Sequence, residues 1–272
     1  MNRHSFLLAA VGRAVCAVAC SQKESGTRGP RPDEVPPTIT VEGSSMIAGL
    51  AGGKLREDRT LATFRITTSV VRTSEYRHCV EAGACEIPNA STVDCSNAFA
   101  ELPRGATYAI TDAPNLPLTC ATPKQADAYC RWIGGALQNE AQWLLAARGP
   151  AVHRFAWGDT PGTCDQHPLG SGEASCCNEG CEPKEHFALA MHPSTASPKG
   201  ALDVLVTPSE LVASSTDAVS SACAGSASAC LVTGRTPGSI DAFLWIPMAR
   251  LGGALATVPT FAFRCVWNEV SP

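Results

Sequence analysis

Cysteine is the residue type in this chain with the most capacity for chemistry: there are 14 in 272 residues. A thiolate is a nucleophile, a redox partner and a ligand for soft metals, provided that it stays reduced. In a reducing cytosol such a count points to metal sites, and in an oxidising compartment it points to a disulfide framework. One run, Cys176, Cys177, Cys181, His186 and His192, has ligand types suited to a tetrahedral zinc site. In an exported chain dense in cysteine, disulfides account better for its sulfurs, and the two histidines read as solvated loop residues. Cys223 and Cys230 lie in Ala/Ser/Gly-rich sequence and read as a bridge closing a loop. Asp203 and Glu210 are the types that share acid/base work. Nothing in the sequence brings them to one cleft, so surface or structural roles are expected. No Ser-His-Asp order, glycine-rich phosphate loop or basic patch is present, and a net charge of -4 gives no electrostatic reason to bind nucleic acid.

The N-terminus decides the compartment. Asn2-Arg3-His4 supplies a short basic stretch, and the apolar runs 6–11 and 14–19 lead to Cys20. This is a signal-peptide pattern, too short and too interrupted by Arg13 for a membrane span. Ala17-Val18-Ala19-Cys20-Ser21 resembles a lipobox, in which small residues precede a cysteine that takes a diacylglycerol thioether and becomes the mature N-terminus. The alternative is an ordinary cleaved signal with an incidental cysteine. Ser21 after the cysteine points to outer-membrane sorting. The expectation is therefore a signal peptide over residues 1–20, an exported lipoprotein anchored through Cys20, and an outer-membrane or periplasmic location. Residues 21–37 contain almost no large apolar side chain and are expected to act as a flexible linker, with one folded domain over 38–272. With Cys16 and Cys20 set aside, twelve cysteines remain, enough for up to six bridges.

The elements that must position these residues follow from pattern. Residues 38–50 read as a strand, a turn at Gly43 and a short strand, and residues 64–71 as a further strand. Thr73 reads as the N-cap of a helix closed by Gly83, burying Tyr76, Cys79 and Val80. Thr122 with Pro123 opens a second helix whose apolar face is Ala126, Tyr129, Cys130 and Ile133. Asn139 caps a third, with Trp143, Leu144 and Ala147 as its core face and Gly149-Pro150 as its end. Beyond Pro150 the chain is rich in turn residues and cysteines, and it ends in a strand over 260–267. Strand, helices, long loops and terminal strand make an α+β plan, not an alternating parallel one.

These segments carry a resemblance. Val71-Arg72-Thr73-Ser74-Glu75-Tyr76 with Cys79-Val80-Glu81-Ala82-Gly83 is similar to the opening motif of the formylglycine-generating (sulfatase-modifying factor) family. Ala126-Asp127-Ala128-Tyr129-Cys130-Arg131-Trp132, followed by Glu140-Ala141-Gln142-Trp143 and Ala146-Ala147-Arg148-Gly149, resembles its central motif. Phe155-Ala156-Trp157-Gly158-Asp159 and Phe261-Ala262-Phe263-Arg264-Cys265 resemble its "Y-P-W-G-D" and closing "G-F-R-C". The resemblance implies an irregular, disulfide-rich α+β fold of the C-type-lectin-like kind and a bridge between Cys130 and Cys265.

It also implies an activity, from which this chain departs. Enzymes of the family hold copper(I) on two thiols that lie between an "R-G-G-S-W" segment and "G-F-R-C", one of which engages a substrate cysteine. Here the interval 231–264 contains no cysteine. The family's "G-L-Y-D-M-A-G-N-V-W-E-W" corresponds to residues 200–211, where Asp203 and Glu210 are kept but Val206-Thr207 replaces Gly-Asn. That loss argues against calcium, which needs six to eight oxygens. "R-L-P-T-E" has become Ala136-Leu137-Gln138-Asn139-Glu140. The expectation is a lipid-anchored, disulfide-stabilised module without catalytic residues or metal, binding a protein or glycan. The alternative is a divergent copper-dependent oxidase acting on a thiol through Cys223 and Cys230, or a related oxidoreductase with different metal chemistry.

Overall fold

A computed structural model describes residues 27–49, 56–88, 107–150, 196–204, 209–213, 229–232, 249–250 and 261–269. The strands are β1 (Thr38–Val41), β2 (Ser44–Gly49), β3 (Arg56–Leu61), β4 (Phe64–Thr67), β5 (Ala136–Leu137), β6 (Ser209–Ala213), β7 (Ala229–Val232), β8 (Ala249–Arg250), β9 (Phe261–Phe263) and β10 (Cys265–Asn268). The helices are α1 (Thr73–Glu81), α2 (Pro123–Trp132) and α3 (Glu140–Arg148), and none of those described is long and apolar enough to cross a membrane. One sheet is antiparallel in the order β1-β4-β10-β5, a second runs β8-β7-β6-β9, and β2 and β3 form a separate hairpin. This is the α+β plan expected from sequence.

The alternation of β4 positions the first sheet. Phe64 and Ile66 are buried and Arg65 is exposed, as a strand with one covered face requires. Val41 and Val266 join Phe64 and Ile66 in one core cluster with α3. A second cluster gathers Tyr76, Cys79, Tyr129, Cys130, Leu211 and Phe263 around α1 and α2.

Four expectations need correction. The strand beginning at Phe64 stops at Thr67 rather than running to Val71, because the chain turns there. Val71 instead donates to the Phe263 carbonyl at 2.9 Å and accepts from Leu118 at 2.8 Å. Helix α1 is capped by Arg72, whose backbone N–H donates to Glu75 Oε2 at 2.8 Å. The hydroxyl of Thr73 is occupied elsewhere, donating to the carbonyls of Ala113 and Pro114 at 3.3 and 3.0 Å. Helix α3 buries all nine residues, not one face, with the hairpin β2–β3 and strand β6 both packed against it. The terminal strand is two strands: β9 pairs parallel with β6, whereas β10 pairs antiparallel with β4 and β5, and the chain crosses between the sheets at Arg264.

The N-terminal boundary also moves. Residues 28–37, expected within the linker, belong to the fold, since Glu34 is buried and Val35 packs on the α1–α2 cluster. An acidic side chain can be buried where arginines satisfy it, which low hydrophobicity does not foretell. The caps of the other two helices stand as read. Thr122 Oγ1 accepts from the Gln125 amide at 3.2 Å, and Asn139 Oδ1 from the Gln142 amide at 2.9 Å. Gly83, just past α1, has φ +72°, the left-handed position that favours glycine.

Candidate functional site

The crossover at Arg264 is a buried polar centre. Arg264 and Glu210 are each 1% exposed. Arg264 Nε donates to Glu210 Oε1 and Oε2 at 3.2 and 3.1 Å, Nη1 to the Thr68 carbonyl at 2.8 Å, and Nη2 to the Leu202 carbonyl at 2.7 Å. One guanidinium therefore ties β6, the end of β4 and the 200–204 segment to the point where the chain changes sheets. Its planar fork of donors suits three divergent acceptors in a way a lysine could not. Glu210 Oε2 also accepts from Gln138 Nε2 at 2.7 Å. Gln138 stands where the family motif has proline, so one departure from the pattern adds a donor to the buried carboxylate.

Next to this centre α2 is stapled to the last strand. Cys130 on α2 and Cys265 at the start of β10 form a disulfide, with Cα atoms 5.3 Å apart. Cys79 and Cys85 form another across the end of α1, and Cys120 is disulfide-bonded as well. Around them Tyr129 stacks on Tyr76 at 5.6 Å, meets Phe263 edge-on at 5.9 Å and lies 6.0 Å from Trp132. Burial pushes the phenols of Tyr76 and Tyr129 up, so both stay neutral. Tyr76 donates to the Glu86 carbonyl at 3.0 Å, whereas the Tyr129 hydroxyl has no hydrogen-bond partner among the described residues.

Asp203 and Glu210 are both buried, so neither has the surface role allowed for them, and Glu210 serves the Arg264 network. Cys230 lies in β7, opposite Val212 of β6 and Arg250 of β8. Cys20, Cys223, the 176–192 zinc-type run and the 155–159 motif lie outside the described residues. Sequence reading missed the arginine centre and Glu34. The only signal for the first was Arg264 itself, a charge set between apolar residues of a terminal strand.

Two metals implied by the resemblance can be tested against these residues. Every cysteine whose side chain is described (Cys79, Cys85, Cys120, Cys130 and Cys265) is in a disulfide, so none offers the thiolate that copper(I) requires. Among the described residues no three His, Cys, Asp or Glu side chains gather into a metal-holding group. Glu210 does not fit calcium, because both its oxygens are taken up by Arg264 and Gln138.

The α+β architecture, the disulfide between α2 and the last strand, and the arginine at the sheet crossover define a formylglycine-generating-type fold. Residues 24–268 match the family described as Sulfatase-modifying factor enzyme 1-like domain, and the chain belongs to that family. It is 49% identical over 63 residues to a formylglycine-generating enzyme of Streptomyces coelicolor, covering 22% of this chain and 20% of that protein. It is 40% identical over 57 residues to the enzyme of Mycobacterium tuberculosis, covering 21% and 19%. The similarity thus spans about a fifth of the length of these relatives. Among solved structures it is similar to PvdO from Pseudomonas aeruginosa (TM-score 0.57, 15% identity, covering 87% of this chain and 95% of that one). It is also similar to CarF (TM-score 0.53, 13% identity, covering 87% and 100%). These structural likenesses concern the fold alone.

Proposed function

We propose that this chain is an exported, lipid-anchored member of the family that works as a binding or scaffold module, holding a protein or glycan ligand on loops carried by the rigid core. The observation that carries the reading is a contrast between framework and thiols. The Arg264–Glu210 centre and the Cys130–Cys265 staple are intact. The interval 231–264, where the resemblance puts two copper-binding thiols, contains no cysteine. A framework kept without those thiols supports recognition over thiol oxidation. Anchoring through Cys20 and an outer-membrane or periplasmic location rest on the lipobox-like Ala17-Val18-Ala19-Cys20 and on the cysteine content.

The second reading is a divergent oxidase using Cys223 and Cys230, which the named relatives favour. A copper(I) competition titration on the purified protein, without prior reduction, separates the two. The binding-module reading expects no tight copper uptake. Tight uptake at one equivalent, abolished by Cys223→Ser, would overturn it and make a peptide-thiol oxidation assay the next step.

A further inference from the structure

The chain enters the domain through a closed clasp. Arg28 meets Glu34 fork to fork, with Nη1 2.6 Å from Oε2 and Nη2 2.7 Å from Oε1. Arg31 adds two more bonds to the same carboxylate, from its backbone N–H at 2.8 Å and from Nη2 at 2.7 Å. The Glu34 side chain has no solvent exposure. The backbone of this strap is fastened as well. The Arg28 N–H donates to the Ala82 carbonyl at 3.2 Å, and Trp132 Nε1 donates to the Arg28 carbonyl at 2.9 Å. Arg28 is thus held at the C-terminal ends of both α1 and α2, and Val35 fastens the far end of the strap to the core beneath.

We propose that this clasp turns the ends of α1 and α2 toward the lipid bilayer and sets the distance of the domain from it. The inference rests on lipidation at Cys20. From Cys20 to Arg28 is eight residues, which reach at most about 28 Å when fully extended, whatever conformation they adopt. A domain of this length is roughly 45 Å across, so that reach is too short for the domain to turn its opposite side to the membrane. With the clasp open, the first fixed point moves to Val35, 15 residues from Cys20, a reach of about 53 Å. That longer tether leaves orientation free. The bonds on Glu34 therefore decide which surfaces of the module face lipid and which face a ligand.

The test uses the full lipidated chain in phosphatidylcholine vesicles with an acceptor dye on the headgroups. A fluorescent noncanonical amino acid is placed either at exposed position 131, at the end of α2, or at exposed position 42. The latter follows β1, at the opposite edge of the sheet from β5, against which α2 packs. Energy transfer to the membrane is expected to be higher from 131 than from 42. The difference is expected to be lost in Glu34→Ala, and also when ten Gly/Ser residues are inserted after Gly26, a change that leaves the clasp untouched. Equal transfer from the two positions in the unaltered tether, with fatty acid shown by mass spectrometry on Cys20, would overturn the clasp proposal alone. Absence of fatty acid on Cys20 would overturn the anchoring reading and the clasp proposal with it.

Discussion

Arg264 and Glu210 face each other across the junction of the two sheets, Nε to carboxylate at 3.1–3.2 Å, with both side chains 1% exposed. A buried ion pair gives little net stability over a well-packed apolar pair, but losing one partner strands the other charge in low dielectric. Glu210→Gln and Arg264→Met are each expected to cost about 3–5 kcal/mol, read as a lower urea midpoint. The double variant Arg264→Met/Glu210→Leu should lose less than the sum, since neither charge is then left alone. Arg264→Lys should behave like a loss, because one ammonium cannot serve Glu210, Thr68 and Leu202 together. An unchanged midpoint in Glu210→Gln would show that the pair does not organise the crossover.

The two described disulfides differ in the length of chain they close: 135 residues of separation for Cys130–Cys265 and 6 for Cys79–Cys85. If loop entropy dominates, removing the first by double Cys→Ala substitution should cost about 5 kcal/mol and removing the second about 2. Thermal denaturation without reductant ranks them, and a reversed order would place the stabilisation in local packing at the end of α1.

Tyr76 and Tyr129 stack, yet among the described residues only the Tyr76 hydroxyl has a bond to lose. Tyr76→Phe should cost about 1 kcal/mol. Tyr129→Phe removes a buried, unpartnered hydroxyl and should be neutral or stabilising by up to about 1 kcal/mol. A clear loss in Tyr129→Phe would mean that the hydroxyl is bonded in solution, and infrared spectroscopy of its O–H stretch would identify the bond.

The Arg28 hydrogen bond, helped by the Arg31 amide, holds the Glu34 carboxyl at about 2, below its ordinary 4.5. A carboxyl depressed in the folded state contributes stability in full above its unfolded value and loses it as pH falls through the folded one. The clasp should therefore hold at pH 5 and above, weaken between 4.5 and about 2, and be gone below that window. Glu34→Gln should flatten the acid limb of the stability curve across this window. A limb of unchanged slope would assign acid sensitivity to other carboxylates.

Gly135, between α2 and β5, lies against β10. A Cβ there would sit 2.7 Å from the Val266 carbonyl oxygen and 3.0 Å from the Trp267 ring. The nearer contact is backbone and cannot swing away, so Gly135→Ala should lower stability by about 1–3 kcal/mol. The Arg65 guanidinium stacked 5.3 Å from the Trp267 centroid gives a local check, since displacement of the indole would change its fluorescence.

What the sequence determined by itself is local. Thr122, Asn139 and Gly83 could be read as caps and a stop because a cap needs only a side chain and an amide two or three residues away. The buried face of α2 could be read because a 3.6-residue period places Ala126, Tyr129, Cys130 and Ile133 on one side. The family motifs carried the fold and the pairing of Cys130 with Cys265, neither of which periodicity alone specifies. The complete burial of α3 lay beyond such reading, since enclosure depends on a hairpin some eighty residues earlier in the chain and a strand some seventy later. So did the split of the last strand and the meeting of Arg264, Glu210 and Gln138. Their separations of 54 and 72 residues carry no pattern, and only the packing of two sheets gives each buried polar group its partners. Glu34 makes the same point at short range. A segment too polar to build a core was read as a tether, yet two arginines satisfied its one buried carboxylate and fastened it to the fold.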